Sequence, residues 1–183
     1  MTILIIVAVV ALSWAAWTWN RLTALRAAMH AAWASVDALL KRRADLIPNL
    51  VAVVKGAMDF ESDTLQRVVE ARGAALGAHG PTDRAVAEQQ LAGTVSHLFA
   101  VVERYPTLKA NAQILVLQQE LSETESDIAS ARRYYNAVVR DLNIMRETFP
   151  NVLVAGPMGF APGEYFQLDE GDRAVPQAAL DRR

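Results

Sequence analysis

The chain reads as an all-α protein. An N-terminal transmembrane helix continues into an antiparallel bundle of three or four long helices, and an irregular tail follows. Three observations predict this. Met1 to Asn20 carries no charged side chain. Downstream, apolar residues recur at alternating intervals of three and four, the period of a helix buried on one face. Before Pro150 no stretch alternates with period two, so nothing supports a sheet. Long helices with one apolar stripe can bury it only against one another.

The first element is the anchor, residues 1–20. Ile3 to Leu12 is nearly all aliphatic, and Thr2 to Trp19 in helical form spans roughly 27 Å, close to the hydrocarbon thickness of a bilayer. Trp14, Trp17 and Trp19 crowd its end, where indoles favour the headgroup level. A cleaved signal peptide would need a basic n-region, which is missing, and a soluble core helix would need a polar face. Basic residues follow at Arg21, Arg26 and Lys41-Arg42-Arg43, and the positive-inside bias predicts a cytoplasmic body with the N-terminus outside. The expected location is the cell (inner) membrane, crossed once.

The bundle is expected over residues 21–150. Leu22, Leu25, Met29, Ala32, Val36 and Leu39 form a heptad seam that Arg43 interrupts and Leu46, Leu50, Val53 and Ala57 resume. Pro48 predicts a kink or short break, and counting the bundle as three or four helices depends on it. A second helix is expected from Ser62 or Asp63 to Leu76, along Leu65, Val68, Val69, Arg72 and Leu76. Gly77 to Thr82 is the clearest loop, and Asp83 suits an N-cap or first-turn acid. The third helix carries Val86, Leu91, Val95, Leu98, Val102 and Tyr105 up to Pro106. The last runs through Ile114, Leu117, Leu121, Thr124, Ile128, Ala131, Tyr135, Val138, Leu142, Met145 and Phe149, and Pro150 closes it. Residues 151–183 read as a Gly/Pro-rich linker and mobile tail.

Composition narrows the chemistry. Among 183 residues the formal net charge is −2, so no broad basic face exists for nucleic acid. Cysteine is absent, which excludes disulfides, thiolate metal sites and a Cys nucleophile. The histidines His30, His79 and His97 lack the Glu-x-x-His spacing of a bundle di-metal site. The acids Glu120, Glu123, Glu125 and Asp127 are read as charge partners of Lys41-Arg42-Arg43, with Arg43 expected to reach Glu120, Glu123 or Asp127. No catalytic, cofactor-binding or metal residue is assigned, and no cofactor is expected.

Asparagines stand out in helical text, since Asn is a mediocre helix former. Asn49 and Asn111 follow prolines and suit capping of the freed backbone groups. Tyr134, Asn136, Val139 and Asn143 fall off the last helix's seam and form a mixed face that is poor in Lys and Glu. Such a face resembles an interface core, so self-association is expected there. Arg43, Pro48, Asn49, Asn111 and Glu120 are the expected structural polar positions.

Several words carry a family resemblance. Lys41-Arg42-Arg43-Ala44-Asp45-Leu46-Ile47-Pro48-Asn49-Leu50-Val51, Tyr105-Pro106-Thr107-Leu108-Lys109-Ala110-Asn111, Leu117-Gln118-Gln119-Glu120-Leu121 with Thr124-Glu125, and Ala131-Arg132-Arg133-Tyr134-Tyr135-Asn136 resemble signature words of the LemA family. Gly159-Phe160 and Tyr165-Phe166 are similar to its C-terminal segment, although Gln167 stands where the family commonly has an acid. The resemblance implies a bacterial protein with one membrane helix, a helical-bundle body and a part in membrane organisation. It implies no family-wide catalysis or cofactor.

The functional expectation is a non-enzymatic scaffold at the membrane. Its partners would be the lipid bilayer, further copies of itself and other membrane proteins, without nucleic acid. Two alternatives stand beside it. One is a divalent-cation-dependent hydrolase using Glu120 and Asp127, and the other is a signal relay that bends at Pro48.

Overall fold

The computed structural model describes residues 1–57 and 62–167. Among them every regular element is helical: α1 (Thr2–Ala57), α2 (Ser62–Gly77), α3 (Gly80–Val102), α4 (Pro106–Lys109), α5 (Ala112–Glu147) and α6 (Val152–Ala155). The spine is α1, whose 56 residues extend about 84 Å at the helical rise. α5 lies antiparallel to it. Leu22 packs with Leu142, Val36 with Ile128 and Tyr135, and Ile47 with Ile114 and Leu117 in three successive clusters.

The seam on α1 drifts as a 3.6-residue helix must when measured against a seven-residue repeat. Leu22, Ala32 and Val36 are buried, but further along Leu40, Ile47 and Val54 take the core positions expected for Leu39, Leu46 and Val53. Pro48 does not break the helix. A proline frees the carbonyl four residues back, and here Arg72 Nε of α2 donates to Ala44 O at 2.7 Å. The interruption is thus capped from a neighbouring helix. Asn49, expected to serve that purpose, is exposed.

The α2–α3 link is tighter than the loop expected over Gly77 to Thr82. Only Ala78 and His79 lie outside the helices, and Gly80 opens α3 at φ +79°, a conformation open to glycine at little cost. Leu65, Val68 and Ala75 of α2 and Ala87, Leu91, Leu98 and Val102 of α3 enter the distal core, whereas Val69, Leu76 and Val86 face outward. Asn111 is the N-cap of α5, its Oδ1 accepting from Gln113 N at 2.9 Å and Ile114 N at 3.4 Å. Phe149 falls off the end of the seam and is exposed.

α2 and α3 cover only the half of the α1–α5 pair that is remote from the N-terminus. The near half is covered by residues 151–167, a strap that returns along the same groove and buries Ala155, Phe160 and Phe166. Residues 151–167 are thus a packed strap rather than a plain linker; the tail expected after them lies outside the described residues. Glycine and proline mark the strap as non-helical, but its aromatic residues supply the apolar area that a third helix would otherwise provide.

Candidate functional site

Arg43, the charged position in the α1 seam, is the centre of a buried ion network. Its side chain is 6% exposed, and its guanidinium donates to Glu88 Oε2 on α3 and to Glu125 Oε2 on α5. It also donates to the Glu88 backbone oxygen at 3.2 Å. Arg84, one helical turn before Glu88, places Nε 3.1 Å from Glu88 Oε1 and Nη2 3.5 Å from Asp37 Oδ1. The carboxylate partners are therefore Glu88 and Glu125, not Glu120, Glu123 or Asp127. Helical phase explains the miss: at about 100° per residue Glu125 flanks the buried stripe of Leu121, Thr124 and Ile128 on one side, while Glu120 and Asp127 flank it on the other and Glu123 lies away from it. A stripe through Val86 passes over Arg84 and Glu88, whose i, i+4 spacing among alanines is the one sequence mark of the pair.

Arg132 borders this network. Burial lowers its guanidinium's proton affinity, Glu125 acts in the opposite sense, and Arg43 lowers it further. Its Cζ lies 5.0 Å over the Phe166 ring, which pins the strap at that end. Phe160 is held likewise between Arg26, 4.9 Å over the ring, and Trp19, edge-on at 5.3 Å.

The asparagines of α5 hold the strap's backbone. Asn136 Nδ2 donates to Phe166 O at 3.0 Å while Phe166 N donates back to Asn136 Oδ1 at 2.9 Å. Asn143 forms the same pair with Gly163, and Val139 between them is fully buried. The face expected to bind a second copy is thus filled by the chain's own strap, whose Tyr165 and Phe166 pack in the same cluster as Val139. Only Tyr134 of that set is exposed. A side-chain amide presents an N–H and a C=O side by side, the same pair an extended backbone residue presents, so an Asn can stand in for a neighbouring strand. Tyr135 Oη adds a donation to Glu164 O at 2.7 Å. Burial, with Glu164 nearby, pushes its phenol up to about 12.

Elsewhere the expected chemistry does not converge. Glu120 lines a cleft of about 550 Å³ with Asn49, Ala112 and Gln113, whereas Asp127 lies outside that lining. Among the described residues no group of three or more His, Asp or Glu side chains is placed to hold a metal ion. His30, His79 and His97 are exposed.

At the N-terminal end, α1 is long and apolar enough to cross a membrane, and its spanning window is almost wholly exposed. Thr18 within it is buried, and its Oγ1 donates to Asn151 Oδ1 at 3.2 Å. That bond fixes the α5–α6 corner level with the end of the apolar stretch.

Comparison with known proteins agrees with this architecture. Residues 32–179 match the model of the LemA family. The magnetosome proteins MamQ 1 and MamQ 2 of Paramagnetospirillum magneticum are each 26% identical over 157 residues, covering 72% of this chain and 58% of theirs. Protein LemA of Metamycoplasma hominis is 25% identical over 142 residues, covering 75% of this chain and 64% of its own. The chain thus spans less than two thirds of the length of these relatives. A family match over most of the chain, on an all-helical body whose spine begins as an apolar span, places this protein in the LemA family.

Proposed function

We propose that the chain is a non-enzymatic scaffold, tethered to the cell membrane by residues 2–19, with a cytoplasmic body that self-associates or gathers other membrane proteins. The observation that carries this reading is the continuity of α1. One helix is both apolar span and bundle spine, so the body is carried at a set distance from the bilayer. With Asn136 and Asn143 engaged by the strap, the exposed apolar side chains that a partner would cover include Val69, Leu76 and Val86 on α2 and α3.

Crosslinking in cells, paired with light scattering of the detergent-extracted full chain, tests the scaffold. Oligomers or specific crosslinked partners support it; a strictly monomeric protein without partners overturns it. A C-terminal tag tests orientation. It should resist protease in intact spheroplasts and be cut after lysis, and cleavage in intact spheroplasts would put the body outside.

A further inference from the structure

The membrane-proximal corner of the body is unusual in its surface. From Thr148 to Gly163 there is no charged residue. Within that stretch Phe149 is 76% exposed, Leu153 63% and Val152 46%, three large apolar side chains clustered on one turn. A water-facing turn normally carries polar residues, and an exposed apolar cluster marks a contact surface.

The position of this cluster identifies what it contacts. Asn151, inside the turn, is bonded to Thr18 of α1. From the midpoint of Thr2–Trp19 to Thr18 is about 11 Å along the helix, against a hydrocarbon half-thickness of about 15 Å. A bilayer that encloses the apolar span therefore reaches the level of Thr18 and Asn151. α6 packs on α1 there, and Trp14 and Ala15 are half-buried while the residues before them are exposed. Above this level the character changes to charged, with Arg21 and Arg26 on α1 and the Arg146–Glu147 pair on α5, and Trp19 lies among them. Apolar tips below and indole and guanidinium groups above are the order of side chains met on passing from acyl chains to headgroups.

We infer that the α5–α6 corner is a second membrane contact, with Phe149, Val152 and Leu153 seated among lipid acyl chains beside the anchor. The inference rests on the reading of residues 2–19 as a membrane span. A helix lying on a bilayer seats its apolar face about 5–10 Å into the headgroup–acyl boundary, and this short turn reaches the shallow part of that zone. The body would then be held to the membrane at two points. Two points of attachment fix its tilt and rotation, which a single helix leaves free.

The absence of cysteine makes the test clean. Full-length protein with a single nitroxide label, at Phe149→Cys or Leu153→Cys, is reconstituted in vesicles of phosphatidylethanolamine and phosphatidylglycerol. Val9→Cys serves as the mid-span reference and Leu115→Cys as the aqueous one; all four positions are exposed on the protein. Circular dichroism checks each variant's helicity. The expected result is a ratio of oxygen to nickel-chelate collisions at Phe149 and Leu153 severalfold above that at Leu115, lower than at Val9. Labels at Phe149 and Leu153 that match Leu115, with Val9 still lipid-like, overturn the corner contact and leave the anchor standing. A water-like Val9 removes the anchor itself. Spin–spin broadening at Leu153 that vanishes on dilution with unlabelled protein assigns the surface to a second copy and overturns lipid as its occupant.

Discussion

Asn143 and Gly163 exchange two hydrogen bonds across the α5–strap boundary, Asn143 Nδ2 to Gly163 O at 3.0 Å and Gly163 N to Asn143 Oδ1 at 2.8 Å. Asn136 repeats the arrangement with Phe166. Removing one amide leaves a strap N–H and C=O without partners at a partly buried site, worth about 1–3 kcal/mol. Asn143→Ala should lower stability by that amount and expose the strap to limited proteolysis. Asn143→Asp should do the same, because a carboxylate cannot donate to Gly163 O.

Gly163 faces α1 at close range. An added Cβ would stand 2.9 Å from Met29 Sδ and 3.2 Å from Val139 Cγ1. The thioether can swing aside, but Val139 is fully buried and has nowhere to go. Gly163→Ala should therefore destabilise by about 1–3 kcal/mol, the range for overpacking, as read by thermal unfolding. No loss would mean that the strap slides freely on α5.

The Arg43–Glu88 pair should behave as a buried pair does. Arg43→Met takes one of two cations from Glu88, whose side chain is 4% exposed and keeps only Arg84, and should cost about 3 kcal/mol, the low end for a broken buried pair. Glu88→Gln on top of it removes the surplus negative charge and leaves Arg84 paired with Asp37, and should recover part of the loss. Chemical denaturation of the two variants checks this. A double variant as unstable as the single one would refute the pairing.

Tyr135 predicts an alkaline limit. Its phenol is raised from 10.0 to about 12 in the folded chain. Between those values the unfolded state has released the proton and the folded state has not, so unfolding is favoured as pH rises. The contribution is complete below about pH 10 and is lost as pH climbs towards 12. Tyr135→Phe should cost about 0.5–1.5 kcal/mol at neutral pH through the lost bond to Glu164 O, yet flatten the decline above pH 10 relative to wild type. Parallel slopes for the two proteins would show that Tyr135 ionises as freely folded as unfolded.

Pro48 and Arg72 should be energetically coupled. Pro48→Ala restores a backbone N–H to Ala44 O and so makes the Arg72 bond to that carbonyl redundant. Pro48→Ala should raise the melting temperature, and Arg72→Ala should cost less in that background than in wild type. A coupling of about 0.5–3 kcal/mol is expected from the double-mutant cycle. Additive effects would mean that Arg72 does not compensate the proline.

Much of the fold was legible because helix period and bilayer length are local properties of a chain. The charge-free run from Met1 to Asn20, the unbroken spacing from Ile114 to Leu142 and the Asn111 cap can each be read without knowing any neighbour. What the tertiary structure alone decided concerns partners distant in sequence. Arg43 had to find some acid, but which one depended on the phase of α3 and α5 around α1, and a single residue of phase turns a helix by about 100°. Pro48 signals a break to any local rule, yet α1 runs through it, because a guanidinium from α2 happens to reach the freed carbonyl. Asn136 and Asn143 read in the sequence as part of a self-association face, and in the fold their amides bond the backbone of Phe166 and Gly163. Periodicity cannot say whether that partner is another molecule or the same chain returning, and here the aromatic strap with Phe160 and Phe166 returns first. Sequence determined the helices and the apolar span, since these answer to short-range hydrogen bonding and to side-chain polarity; the third layer of the bundle was decided by which buried surface lay within reach once they had paired.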